Sequence, residues 1–195
     1  MTTSDEINKI EKIENFYNPI SNSHPGNEAE LSAVLALRFW KINWNYVPIR
    51  RVDSEINPSI NLENFFSESG NLISEYPLDH KIKKEQNIWG AMRVDFVYVE
   101  NGVRIIFMES KLGSKQTHDN DQFERYINYL DQKPNQDFKE RWFILLCLKD
   151  HWEKEWYKKD MIELVPQVEV SQNSVSLGIV YWDDIVKNLR TPDKN

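Results

Sequence analysis

Residues 92–111 contain two apolar runs separated by a turn signature, and this pattern constrains the fold more than any other in the chain. The runs span residues 92–99 and 103–111, and each is long enough for a strand in a buried sheet. The Glu-Asn-Gly sequence at 100–102 is typical of a hairpin turn. The sequence therefore predicts two adjacent antiparallel strands.

The length of the hairpin loop decides where Asp95 lies relative to Glu109. Side chains alternate between the two faces of a strand, so a two-residue loop would point Asp95 away from Glu109. A three-residue loop over 100–102, with Gly102 left-handed in a bulge, would instead pair Asp95 with Phe107. Asp95 and Glu109 would then be diagonal neighbours roughly 7–8 Å apart at Cα. We predict this three-residue loop, because one hard cation can bridge two carboxylates at that separation.

A helix is predicted from about residue 121 to residue 130, shortly after the second strand. Asp121 and Glu124 have the spacing of a capping box, and Pro134 marks the end. Gln122 and Tyr126 are four residues apart, so they lie on one face of the helix. They could lean toward one ligand, or Tyr126 could pack into the core while Gln122 stays exposed.

Three short motifs follow one another through this region: Val94-Asp95, Glu109-Ser110-Lys111 and Gln122-x-x-x-Tyr126. They resemble the signature of the PD-(D/E)xK nuclease superfamily, and the third is similar to the Q-x-x-x-Y motif of its RecB-like branch. The resemblance implies an α/β fold (α+β mixed) with a restriction-endonuclease-like core. That core is a central mixed sheet of about four to five strands flanked by helices, in the order helix, three strands, helix, strand.

The resemblance also implies a role for each residue of the central motifs. Asp95 and Glu109 would bind Mg²⁺, or Mn²⁺ in its place, and the backbone carbonyl of Ser110 would complete the shell. Lys111 would orient the attacking water or stabilise developing negative charge. These residues would therefore form the catalytic centre of a phosphodiesterase.

Contacts that position the nucleic acid are predicted for the third motif and for a basic loop that precedes the first. By resemblance, Gln122 and Tyr126 would position the nucleic acid or Lys111. The basic loop at 80–87 directly precedes the strand that carries Asp95. Its candidates for contacts with the nucleic-acid backbone are Lys81, Lys83 and Lys84.

A largely buried helix is predicted over residues 28–40, where apolar side chains recur at helical spacing. The resemblance implies that this first core helix brings a carboxylate to the metal site, either Glu28 or, as its substitute, Glu30. The alternative is that both acids only favour the positive end of the helix.

The remaining segments are consistent with a single domain covering residues 1–195. Residues 1–23 are predicted to form an N-terminal helical extension, and residues 42–70 a family-specific insertion that lines a cleft. Further strands are predicted at 72–78, 142–148 and 175–181, with a last helix through 189. Segment 151–161 alternates aromatic and charged residues, which could pack in the core or stack on bases.

Charge and cysteine content limit the classes of function. The formal net charge of −7 gives no global basic field and counts against a nonspecific DNA coat protein, although metal ions can offset carboxylates in a nuclease. Cys147 is the one cysteine and lies in an apolar run, so a buried, inert thiol is predicted. Because the chain shows neither a secretory signal nor a membrane-spanning run, a cytoplasmic protein without membrane contact is expected.

These features predict a metal-dependent nuclease that acts on DNA, with RNA as an alternative substrate, in defence or repair. A homodimer or a protein partner is compatible with the sequence. The alternative is a catalytically silent nuclease-like fold that serves as a protein-binding or nucleic-acid-binding module. The intact set of Asp95, Glu109 and Lys111 favours the enzyme, whereas the net acidity favours the module.

Overall fold

A computed structural model describes ten segments of the chain: residues 32–33, 35–52, 59–60, 65–78, 93–112, 122–132, 135, 137–154, 157–170 and 175–189. In this part of the chain seven strands form one sheet. The strands are β1 (Ile49–Arg51), β2 (Ser59–Ile60), β3 (Asn71–Pro77), β4 (Arg93–Glu100), β5 (Arg104–Lys111), β6 (Glu140–Cys147) and β7 (Ser176–Tyr181).

Helices cover both faces of this sheet. Residues 35–38 are helical and lead into 3-10 turns at Phe39–Lys41 and Trp44–Tyr46. The four later helices are α1 (Gln122–Leu130), α2 (Lys149–Glu153), α3 (Lys158–Val170) and α4 (Trp182–Leu189). No helix within the described segments is long and apolar enough to cross a bilayer.

The strand order is β2-β1-β7-β6-β5-β4-β3. β5, β6 and β7 are parallel, and the remaining neighbours are antiparallel, so the predicted mixed α/β sheet is confirmed. The predicted strand number of four to five is wrong, because β1 and β2 extend the sheet beyond β7. Both lie in the segment interpreted as an insertion, and at three and two residues they are too short to show a periodic pattern.

The β4–β5 hairpin has a three-residue loop, but its position differs from the predicted one. Glu100 pairs with Arg104, so the loop comprises residues 101–103 instead of 100–102. The Val103 N–H donates to the Glu100 carbonyl at 2.9 Å, and Gly102 has a φ of 67°, which glycine adopts without steric cost. An ion pair of 3.2 Å between Glu100 and Arg104 stabilises the observed end of the ladder.

This register moves Asp95 to the position opposite Glu109. The last pair in the β4–β5 ladder is Phe96 with Met108, and Asp95 and Glu109 each lie one residue beyond it. The prediction that Asp95 would pair with Phe107 is therefore wrong by two positions. Since the loop still has an odd number of residues, the alternation of side chains is preserved and the two carboxylates become direct neighbours instead of diagonal ones.

Two hydrophobic clusters lie on opposite faces of the sheet, one against α1, α2 and α3 and the other against residues 35–39 and α4. Strands β5 and β6 are buried on both faces, which explains their nearly continuous apolar sequences. Cys147 is fully buried, and burial raises the pKa of its thiol, as expected for an inert cysteine. Trp152 and Tyr157 are also buried, so these two aromatic residues of segment 151–161 pack in the core.

The turn at residues 67–70 is hydrogen-bonded to Tyr98 of β4. The Tyr98 hydroxyl accepts from the Ser67 N–H at 2.9 Å and donates to the Ser67 carbonyl at 3.1 Å. A methyl group added at Gly70 would lie 2.2 Å from the Tyr98 ring, which is fully buried. Glycine at this position is therefore required by close packing.

We expect Gly70→Ala to lower the free energy of unfolding by about 1–3 kcal/mol, because the buried Tyr98 ring must move to admit the methyl group. Gly102→Ala is the comparison variant, since its methyl group would meet nothing within 4 Å and only the left-handed backbone opposes it. That variant should cost about 1 kcal/mol. Urea unfolding measures the stability of both variants. A loss of stability in Gly70→Ala that is no larger than the loss in Gly102→Ala would show that the Tyr98 ring moves at no cost.

Candidate active site

The candidate site lies where β4 and β5 separate. Beyond the last ladder pair, the Asp95 carboxylate reaches across and its Oδ2 accepts a hydrogen bond from the Ser110 backbone N–H at 2.7 Å. This contact takes the place of a strand-to-strand hydrogen bond. It holds the Asp95 carboxylate beside β5, next to Glu109.

Glu109 is the centre of a buried hydrogen-bond network. Its Oε1 accepts from the Lys111 ammonium at 2.9 Å and from the Gln122 amide at 2.7 Å, and its Oε2 accepts from the Tyr126 hydroxyl at 3.0 Å. Glu109 is 3% exposed and Lys111 is 5% exposed, so the two form a buried ion pair. Donors from helix α1 therefore stabilise a carboxylate that burial alone would disfavour.

Tyr126 joins helix α1 to both strands. Its hydroxyl lies 2.7 Å from the Arg93 carbonyl and 3.0 Å from Glu109 Oε2, and it accepts from the Gln122 amide at 2.7 Å. The single hydroxyl proton serves one of the two acceptors at a time. Burial, and then the charge of Glu109, raise the pKa of Tyr126, so the hydroxyl remains protonated.

The structure decides between the alternatives for the Gln-x-x-x-Tyr motif. Gln122 is 7% exposed, so it faces inward together with Tyr126 and is not a solvated helix residue. Both side chains bind Glu109 directly. The motif therefore holds a charged residue of the candidate site.

Asp95 has a strongly shifted pKa. Burial and then the negative charge of Glu109 raise the pKa of Asp95 from 3.8 to about 7, although the Ser110 hydrogen bond and the Lys111 charge oppose the shift. The carboxylate thus competes for a proton near neutral pH. A cation bound at this position would favour the ionised form in the same way that an opposite charge does.

The network and Asp95 carry oxygen atoms of the kind that bind a hard cation. The Gln122 Oε1 atom is buried and has no hydrogen-bond partner, and the amide orientation is fixed because Nε2 must donate to Glu109. The other carboxylate oxygen of Asp95, Oδ1, accepts no hydrogen bond within the described segments. Across the same segments no group of three or more His, Cys, Asp or Glu side chains could hold a metal ion. The donors at hand are thus two carboxylates and one amide oxygen, a set that fits Mg²⁺ or Mn²⁺.

Glu75 is a neighbour of the site that the sequence did not reveal. Ser74 pairs with Phe96 and Tyr76 with Val94, so Glu75 lies opposite Asp95 on the outer strand. Its φ of 53° is the left-handed conformation, which is uncommon for a non-glycine residue and marks local strain. The charge of Glu75 also contributes to the raised pKa of Asp95. Segment 71–77 has neither glycine nor asparagine after Asn71, so no local signal predicts this conformation.

Ser110 contributes to both faces of β5. Its hydroxyl accepts from the Trp182 indole N–H at 3.2 Å on the face that carries α4, which explains a polar residue at a buried position. The metal-binding role of its backbone carbonyl stays a prediction. The other predicted site residues lie outside the described segments, and their roles also stay predictions: Glu28, Glu30, Lys81, Lys83 and Lys84.

Comparisons with known proteins give no relative. No family model matches the chain, and it matches no curated protein and no solved structure. A functional assignment therefore rests on the chemistry of the site.

Proposed function

We propose that this protein is a divalent-cation-dependent nuclease whose reaction centre is formed by Asp95, Glu109 and Lys111. One observation carries the proposal: a buried Glu109–Lys111 ion pair lies beside a second carboxylate whose pKa is raised to about 7. Like charges placed close together in a buried position destabilise a fold, and they are typical of sites that bind a cation or transfer protons.

Mg²⁺ or Mn²⁺ is the cofactor that the oxygen donors fit. Asp95 and Glu109 would hold the ion through carboxylate oxygens, and the partnerless amide oxygen of Gln122 is available as a further donor. When bound, such an ion lowers the pKa of a coordinated water and offsets the charge on phosphoryl oxygens. The cation would also replace the proton that Asp95 otherwise holds near neutral pH.

The chain's own residues supply the remaining requirements of phosphodiester hydrolysis. Lys111 places an ammonium group 2.9 Å from Glu109, where it can stabilise negative charge that develops on a bound phosphate. Gln122 and Tyr126 are positioning residues, because their hydrogen bonds fix the orientation of the Glu109 carboxylate. The resemblance of the motifs to those of nucleases supports DNA as the substrate.

The direct test is a cleavage assay on linear DNA, circular DNA and RNA, with Mg²⁺ or Mn²⁺ and then with excess chelator. We expect DNA cleavage with either ion and none with chelator. Cleavage of the circular substrate would define an endonuclease, and cleavage of the linear substrate alone would define an exonuclease. The proposal fails if none of the substrates is cut with either ion, or if cutting continues undiminished in chelator.

A second candidate, a catalytically silent binding module, is favoured by one observation. The oxygens of Glu109 already accept from three donors, so the network is largely satisfied without a cation. Such a module would bind nucleic acid or a protein in the same assay conditions but leave every substrate intact. A gel-shift measurement run in parallel with the cleavage assay distinguishes the two functions.

A further inference from the structure

A cavity of about 420 Å³ opens on the face of the sheet opposite to helix α1. It lies between the 3-10 segment at 40–45 and the turn at 66–68, and its wall residues include Trp40, Trp44, Phe66, Asn43, Ser67 and Glu68. Its rings pack against Phe39 and Tyr98, in the hydrophobic cluster that contains α4. The cavity is therefore separate from the candidate active site, whose network faces α1.

The aromatic walls of this cavity are held in place. The Trp44 indole N–H donates to the Phe39 carbonyl at 2.9 Å, and the Trp44 and Phe66 ring centroids are 4.5 Å apart. Trp40 packs against Phe39 with centroids 5.1 Å apart and remains 47% exposed. Rings that are held in place at a cavity wall can stack on a planar ligand at little cost in conformational entropy.

The opposite wall carries polar groups on a braced turn. The Gly70 N–H donates to the Ser67 carbonyl at 3.0 Å, and the Ser69 hydroxyl donates to Glu100 at 3.0 Å. Glu68 lies inside this turn and lines the cavity with an exposed side chain. Asn43 on the 3-10 segment and Ser67 on the turn also line the cavity, and their side-chain oxygens accept from the Asn45 and Ser69 N–H groups at 3.3 and 3.1 Å.

We propose that this cavity binds a nucleobase, with a preference for bases that carry an exocyclic amine. A base is a planar ring that can stack on the indoles, and the Glu68 carboxylate can accept from an amine such as N4 of cytosine. The cavity volume of about 420 Å³ falls within the range of small-molecule sites. A quaternary ammonium ion would also be attracted to the rings, but it has no N–H group to donate to the Glu68 carboxylate. The inference rests on the proposed function, since nucleic acid is the substrate class of a nuclease.

The experiment is a calorimetric titration in chelator with CMP, UMP, choline and a single-stranded oligo-dC. We expect CMP to bind about tenfold more tightly than UMP, because uracil has no exocyclic amine. Trp40→Ala should weaken CMP binding about 10- to 100-fold through loss of stacking. Glu68→Gln, an exposed change in a turn, should remove the preference for CMP over UMP.

Tyr46→Ala is the matched control, because Tyr46 is an aromatic residue of the same segment, is 71% exposed and does not line the cavity. It should bind CMP as the unmodified protein does. Tighter binding of oligo-dC than of CMP would identify a single strand as the source of the base. Equal binding of the two would identify a free nucleotide as the ligand. Either result supports a nucleobase site.

Three results would overturn the nucleobase site: no binding of CMP or oligo-dC, equal CMP affinity in Trp40→Ala and the unmodified protein, or tighter binding of choline than of CMP. Because chelator suppresses cleavage, this measurement is independent of the nuclease assay. CMP binding by a protein that cuts nothing would refute only the nuclease. Cutting by a protein that binds no base would refute only the cavity.

Discussion

Asp95→Asn is expected to slow phosphodiester cleavage by about 10³-fold or more and, at the same time, to raise the free energy of unfolding near neutral pH. Asparagine keeps an oxygen that can accept from the Ser110 N–H, so the local geometry survives. The negative charge that would hold the cation is lost, which removes several kcal/mol of transition-state stabilisation. The same substitution relieves the burial of a carboxylate beside Glu109.

The direction of the stability change follows from the pKa of Asp95. In the folded protein this pKa is about 7, whereas its ordinary value is 3.8. Between those values the folded state holds a proton that the unfolded state releases, so the stability contributed by the protonated carboxyl is lost as the pH rises from about 4 through about 7. The unmodified protein should lose on the order of 2–4 kcal/mol of unfolding free energy over this pH range. The Asp95→Asn variant should not show this loss, because asparagine does not ionise.

Urea unfolding in chelator at about pH 5 and about pH 8 measures this difference. The unmodified protein should lose more stability between the two pH values than Asp95→Asn does. Glu163→Gln is the control, since Glu163 is exposed and pairs with Lys159 on the surface, and it should change neither cleavage nor the pH dependence. Cleavage by Asp95→Asn within tenfold of the unmodified protein would contradict the catalytic role of this residue.

Glu109→Ala is expected to lower the free energy of unfolding by about 3–5 kcal/mol, the cost of removing one partner of a buried ion pair. The truncation takes away the acceptor that the buried side chains of Lys111, Gln122 and Tyr126 share. Buried donors that lose an acceptor retain the full desolvation penalty. The network thus depends on Glu109 more than on any single donor.

The double variant Glu109→Met with Lys111→Met tests this explanation. Replacing both charges by apolar side chains of similar length should restore most of the stability lost in Glu109→Ala, while cleavage is abolished. Glu153→Ala, at an exposed pair with Lys149, is the control and should cost less than about 0.5 kcal/mol. A double variant less stable than Glu109→Ala would show that packing, and not charge burial, dominates at this site.

The main elements of the fold could be predicted because their signals are local. Five of the seven strands and helix α1 follow from apolar runs and capping residues, and their observed bounds agree within about two residues. The short strands β1 and β2 could not be found this way. β1 lies beside β7 through pairing between residues more than a hundred positions apart in the chain, and β2 joins the sheet only through β1.

The position of the β4–β5 loop depends on contacts between residues that are distant in sequence. The loop length of three residues was predicted because that length places Asp95 and Glu109 on one face, but the loop's position at 101–103 differs from the predicted 100–102. Arg104 binds the Phe65 carbonyl at 2.6 Å and pairs with Glu100, and these contacts favour the pairing of Glu100 with Arg104. The register was therefore decided in part by a segment 39 residues away.

The sequence by itself determined which residues could form a charged site, because Asp95, Glu109 and Lys111 stand in apolar strands joined by an odd loop. Only the tertiary structure decided what surrounds them. It turned Gln122 and Tyr126 onto Glu109, placed Glu75 in a left-handed conformation opposite Asp95, and formed an aromatic cavity on the other face. The physical reason is that strand periodicity is encoded by neighbouring residues, whereas burial, pKa shifts and hydrogen-bond partners depend on groups far apart in the chain.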